Sequence, residues 1–161
     1  SLDATITGPI DDHQRRWLDE VLSANEDAPV KIVYGHVPLH PFSRERADET
    51  LADDELEALL REHDVDMMLS GHHHAYYPGR RGDLRLVGMA CLGAGPRTLL
   101  GTNHESRRSV AVLRIHPDEG VELDAYRPGG DRIARQSLPP HLNGGTRRIW
   151  RDDLRAVAAQ P

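Results

Sequence analysis

Apolar positions in the first seventy residues alternate between helical and strand periodicity. Residues 11–22 and 48–63 carry apolar side chains at helical spacing, on the faces formed by Trp17, Leu18, Val21 and Leu22 and by Leu51, Leu56, Leu59 and Leu60. Residues 2–6, 30–34 and 65–69 are short apolar runs typical of strands. The order strand, helix, strand, helix, strand predicts an α/β fold with a parallel sheet.

The second half of the chain has a different pattern. Short strand-like runs at residues 84–87, 109–115, 121–126 and 132–136 are joined by turns that contain Gly, Asp or Pro. They predict an antiparallel meander after the parallel units. Residues 139–145 are predicted to form a loop, and residues 150–159 a last helix. We therefore expect one domain over residues 1–138, with residues 139–161 packing on it.

Composition and charge limit the classes of function. The 161 residues are 38% hydrophobic and 29% charged, and the net charge of −6 disfavours a nucleic acid as the main partner. The chain has no apolar run of the roughly 20 residues that a membrane helix needs. The first residues lack the features of a signal peptide, and the single cysteine, Cys91, fits a reducing compartment. We expect a cytoplasmic protein, although a secretion signal in an upstream segment would change this.

The ten histidines are concentrated in a way that indicates metal chemistry. Gly35-His36 follows one predicted strand, and the segment from Gly71 through His72 to His74 follows the next. Loops at the carboxyl ends of parallel strands share one crevice. In an extended segment His72 and His74 point the same way, and His73 faces away. Because imidazole nitrogens are common ligands of zinc, iron and copper, His36, His72 and His74 are predicted metal ligands.

These residues also resemble a known family, the calcineurin-like metallophosphoesterases, which include the purple acid phosphatases. Gly35-His36 followed by Pro38 looks like the family's Gly-His motif after a core strand, and residues 71–74 look like its Gly-His-x-His motif. Ala75-Tyr76 is similar to the purple acid phosphatase branch, as is Gln14 with Trp17 and Leu18. The resemblance covers about residues 1 to 95.

The resemblance implies a fold, a reaction and a ligand set. The fold would be the carboxyl-terminal half of a two-sheet α/β/β/α sandwich. His36 and His72 would bind one ion of a pair, and His74 the other, with Mn, Fe or Zn as the metals. The family hydrolyses phosphoesters by hydroxide attack on phosphorus while both ions neutralise the developing charge.

The family's other metal-binding motifs are missing upstream of Val30. These are Asp-x-His, Gly-Asp-x-x-Asp and Gly-Asn-His followed by an acidic residue, and they supply the bridging carboxylate and the remaining ligands. We therefore expect an incomplete site that is inactive alone, with the missing half on an upstream segment or another chain. The alternative is a non-catalytic metal-binding or interaction module that uses the three histidines. A hydrolase with one ion is disfavoured, because no acidic residue is clearly placed as a general base.

Arg80 and Arg81 are candidate substrate-binding residues. They follow the histidine loop closely enough to bind an anionic phosphoester at the mouth of the crevice. A solvated turn between Gly79 and Gly82 explains this pair equally well.

Overall fold

The computed structural model describes residues 1–116, 120–144 and 147–154. Within these ranges, two helices and eight strands follow one another as α1 (Asp12–Ser23), β1 (Ile32–Gly35), α2 (Asp54–Glu62), β2 (Met67–Ser70), β3 (Tyr77–Arg81), β4 (Leu84–Gly88), β5 (Val110–His116), β6 (Gly120–Tyr126), β7 (His141–Gly144) and β8 (Arg147–Arg151). Short 3₁₀ turns occupy Arg44–Arg46 and Arg135–Ser137. No helix in these ranges is long and apolar enough to cross a membrane.

The main sheet has six strands in the order β1-β2-β4-β3-β8-β7. Strands β1, β2 and β4 are parallel, whereas β3, β8 and β7 add to them in antiparallel fashion. In a separate sheet, the described strands β5 and β6 pair antiparallel from Val110↔Tyr126 to His116↔Gly120. The predicted mixed α/β fold, with parallel units followed by antiparallel strands, is thereby confirmed.

Both helices begin at aspartate caps. Asp11 accepts a hydrogen bond from the backbone N–H of Gln14 at 2.7 Å, and Asp53 accepts one from Leu56 at 2.9 Å. The second helix therefore starts later than residue 48, where the sequence predicted it. Instead, Leu51 and Ala52 donate their backbone N–H groups to the carbonyls of residues 38 and 39, which ties this segment to the loop after β1.

The meander and the tail differ from the prediction. Residues 132–136, predicted as a strand, form an isolated bridge at Arg132 and a 3₁₀ turn. The predicted loop over residues 139–145 is wrong for His141–Gly144, which form β7 and pair with β8. Trp150, the predicted start of a helix, lies within β8, and residues 155–161 are outside the described ranges. Strands β7 and β8 are thus part of the main sheet, and their side chains Leu142 and Ile149 are buried in its core.

Candidate metal site

The two histidine loops leave the sheet at the same level. In the parallel ladder Gly35 pairs with Ser70, so the chain enters both loops at the carboxyl edge of neighbouring strands. The backbone N–H of Gly71 then donates a 3.0 Å hydrogen bond to the carbonyl oxygen of His36. This bond joins the loops directly, so their side chains lie at the same edge of the sheet, as expected for strands of this topology.

The rings of His36 and His72 are in contact at this edge of the sheet. Nε2 of His36 lies 3.2 Å from Nδ1 of His72, and the ring centroids are 5.0 Å apart in an edge-on arrangement. The ring of His36 is exposed, and that of His72 is half-buried. Two nitrogens that bind one tetrahedral zinc at its usual bond length lie about 3.3 Å apart. The separation is that of a hydrogen bond between the two rings, and it is also compatible with a shared ion.

The histidine loop is not extended, contrary to the sequence prediction. His72 has φ +57° and His74 has φ +48°, both in the left-handed region. That conformation costs an L-residue roughly 1–2 kcal/mol. Such strain persists where surrounding contacts enforce it, and it is frequent at functional sites.

Buried hydrogen bonds of His73 hold the loop in this conformation. His73 is completely buried, and its Nδ1 accepts hydrogen bonds from the backbone N–H groups of Phe42 and Ser43 at 3.1 and 3.2 Å. Its Nε2 donates to the carbonyl of Glu49 at 2.9 Å. Desolvation by burial lowers the pKa of His73 to about 4, so the ring is neutral at physiological pH. His73 fastens the histidine loop to residues 42–49.

His74, the third predicted ligand, is half-buried next to this pair. Its Nδ1 is buried and has no hydrogen-bond partner among the described residues. Desolvation, and then the positive charges of Arg97 and Arg46, lower the pKa of His74. The ring is therefore held neutral, which is the form that binds a metal ion.

The described ranges contain no group of three or more His, Cys, Asp or Glu side chains arranged to hold a metal ion. The structure thus brings His36 and His72 together, but His74 does not join them around one point. This arrangement is compatible with a ligand set divided between two positions. The three histidines remain predicted ligands.

Two residues that the sequence did not suggest contact His72. A carboxylate oxygen of Glu49 lies 2.6 Å from Nε2 of His72. Arg46 forms an ion pair with the same carboxylate, and its Nη1 lies 3.0 Å from the ring nitrogen. Although desolvation raises the pKa of Glu49, hydrogen bonding to His72 and the charge of Arg46 outweigh it and lower that pKa.

Arg80 and Arg81 lie elsewhere, which corrects their predicted position at the mouth of the crevice. Strand β3 runs antiparallel to β4, so Arg81 pairs with Leu84 at the opposite edge of the sheet from the histidines. Arg81 forms a 2.6 Å ion pair with the buried Glu57, and Arg80 bonds within the exposed turn that follows. The direction of an unpredicted strand is the reason for the difference.

A family model matches the part of the chain that holds this site. Residues 2–76 match the calcineurin-like phosphoesterases. The match supports membership of this superfamily. The matched segment includes His36, His72 and His74, and the match agrees with the mixed α/β architecture of the chain.

A solved structure has the same fold. The chain superposes with a TM-score of 0.63 and 22% sequence identity on a Plasmodium protein described as "GAP50 the anchor in the inner membrane complex". The superposition covers 76% of this chain and 41% of the other, so the chain spans about two fifths of that protein's length. At this identity the likeness concerns the fold alone. No curated protein gives a significant match to the sequence.

Proposed function

We propose that this chain forms part of a metal-dependent phosphoester hydrolase. His36 and His72 would bind one ion, and His74 a second. The observation that supports this most directly is the 3.2 Å separation of two imidazole nitrogens at the carboxyl edge of a parallel sheet. It lies within the segment that matches the calcineurin-like phosphoesterases.

The surroundings of the histidines suit both the ions and an anionic substrate. The unpartnered buried Nδ1 of His74 marks a polar atom whose partner is still to be supplied. Arg46 and Arg97 lie close enough to His74 to lower its pKa by their charge. Positive side chains at this edge would attract and orient the phosphate of a phosphoester. When bound, the ions would supply Lewis-acid activation of the nucleophile and neutralise charge on the phosphoryl group.

In this proposal the three histidines of the chain are one part of the ligand set of the two ions. A pair of ions needs further ligands and a bridging group, and the described residues offer no cluster of three or more ligands. We propose that the missing ligands come from an upstream segment of a longer protein or from another chain. The isolated chain would then bind metal weakly and hydrolyse no phosphoester.

Hydrolysis of a generic aryl phosphate with Mn²⁺ tests the proposal. The chain alone should be inactive, and a version extended upstream by the missing half should be active. His72→Ala in the extended version should remove that activity, whereas His13→Ala, an exposed histidine outside the site, should not. An inactive extended version, together with unchanged metal content in His72→Ala, would overturn the proposal.

A non-catalytic metal-binding or interaction module is the second candidate. The name of the solved structural neighbour describes that protein as an anchor, which is a binding role. Metal analysis of the isolated chain separates the two candidates. One tightly held ion favours the module, whereas weak binding that improves with the upstream segment favours the hydrolase.

A further inference from the structure

The contact between Glu49 and His72 determines where the imidazole carries its proton. An ionised carboxylate can only accept hydrogen bonds, and it lies 2.6 Å from Nε2 of His72. Nη1 of Arg46, which can only donate, lies farther from the same nitrogen, at 3.0 Å, so the shorter contact to the carboxylate assigns the hydrogen to Nε2. In the neutral ring this leaves Nδ1 without a hydrogen, and this is the nitrogen that faces His36 at 3.2 Å. The lone pair of His72 is thus on the side of His36, where the proposed shared ion would bind.

Glu49 is itself held on two sides. Arg46 pairs with its carboxylate. With the hydrogen assigned to Nε2 of His72, the 3.0 Å approach of Nη1 to that nitrogen is a contact between two donors, and the guanidinium donates to Glu49. The backbone carbonyl of Glu49 accepts the 2.9 Å hydrogen bond from His73. The carboxylate is therefore fixed by contacts at its side chain and at its main chain.

We propose that Glu49 is a positioning residue of the metal site, which selects the ring tautomer and orientation of His72 for binding through Nδ1. Histidines that bind metals commonly donate their other ring N–H to a carboxylate, which fixes the ring and makes it a stronger ligand. This inference rests on the proposed function, because it assigns the partner of one of its ligands. Glu49 touches neither the ion nor the substrate, and it acts only through His72.

The first measurement is the tautomer of His72, read from ¹⁵N chemical shifts of the imidazole in the metal-free protein near pH 8. Wild type should show the Nε2–H form, and Glu49→Ala should show a mixture of the two tautomers. Glu49→Gln keeps a carbonyl oxygen that can accept from Nε2 and should retain most of the Nε2–H form. Glu62→Ala removes an exposed carboxylate from α2 and should match wild type.

The second measurement is zinc affinity by calorimetric titration of the same variants. Loss of a carboxylate partner of this kind typically weakens metal binding 10- to 100-fold, so we expect that loss for Glu49→Ala and a smaller one for Glu49→Gln. Thermal unfolding of each variant shows that it is folded. If Glu49→Ala keeps the wild-type tautomer and binds zinc within twofold of Glu62→Ala, the inference is overturned. Should zinc binding be too weak to measure in every variant, the tautomer decides alone.

His72→Ala separates failure of this inference from failure of the proposed function. If His72→Ala binds zinc as wild type does, the ligand assignment is wrong, and the role of Glu49 falls with it. If His72→Ala loses zinc while Glu49→Ala retains it, the metal site stands, and only the positioning role of Glu49 is lost.

Discussion

Nε2 of His73 donates a 2.9 Å hydrogen bond to the backbone carbonyl of Glu49 from a ring that is completely buried. The same ring accepts from Phe42 and Ser43 through its other nitrogen. A residue between two predicted ligands thus connects the histidine loop to the segment that carries Glu49. Its role is to hold the conformation of the site rather than to bind an ion.

Replacing His73 with alanine should lower the free energy of unfolding by about 3–5 kcal/mol, because it opens a cavity and leaves buried backbone groups without partners. His73→Asn should lose less, since its amide can both accept and donate. Urea unfolding followed by circular dichroism measures both values. His13→Ala, at an exposed position, should stay within about 0.5 kcal/mol of wild type. A loss of similar size in His73→Ala would refute the anchoring role.

Glu57 should make stability depend on pH in the acid range. Desolvation raises its pKa, but hydrogen bonds from His40 and Arg61 and the charges of His40 and Arg81 outweigh this and lower it to about 2. The folded state therefore favours the ionised form. The stabilisation is fully present above about pH 4.5 and is lost as the pH falls toward 2.

Between pH 4.5 and pH 2 the free energy of unfolding should fall by at most about 3 kcal/mol through Glu57. This upper bound follows from the difference between the pKa of Glu57 in the unfolded chain and its pKa of about 2 in the folded protein. Unfolding of wild type and Glu57→Gln at pH 6, 4 and 3 tests this. The variant should be less stable at pH 6, and the difference should shrink as the pH falls. A constant difference across the range would contradict the assignment.

Arg81 should matter for folding and not for metal binding. Its guanidinium pairs with the buried carboxylate of Glu57 at the edge of the sheet opposite the histidines. Arg81→Ala should lower the free energy of unfolding by about 1–3 kcal/mol, allowing for partial exposure of the pair. Arg80→Ala, which removes bonds to the exposed turn at Gly82 and Asp83, should have little effect. Both variants should bind zinc as wild type does. A loss of zinc binding in Arg81→Ala alone would contradict this and would indicate that Arg81 acts at the histidine site.

Strands β1 and β2 and the helices before them could be predicted because their information is local. Residues 2–6, predicted as a strand, form none, and β4, predicted within the antiparallel meander, pairs parallel with β2. Strand β2 is an apolar run, and the helical periodicity of α2 was visible in the sequence. Strand β3 was missed because Pro78 and Gly79 disfavour strands locally. It forms because Gly79 leaves room for Ile149: a Cβ there would lie 2.4 Å from Cγ2 of that residue. This close approach comes from a strand seventy residues away.

The site was predictable to a similar extent. The position of His36 and His72 at neighbouring strand ends follows from the order of strands and loops. Glu49 could not be found in this way, because it lies 23 residues from His72 in the sequence and no spacing rule joins them. The left-handed conformation of His72 and His74 was also hidden, since it depends on the buried hydrogen bonds of His73.

The central claim is that His36 and His72 bind the same ion, and a double-mutant cycle of zinc affinity tests it most directly. Calorimetric titration would compare wild type, His36→Ala, His72→Ala and the double variant, in the chain extended upstream if the isolated chain binds too weakly. If one ion is shared, each single change should weaken binding at least tenfold, and the double change should cost less than the sum of the two. Unchanged affinity in the single variants, or strictly additive losses, would contradict a shared ion.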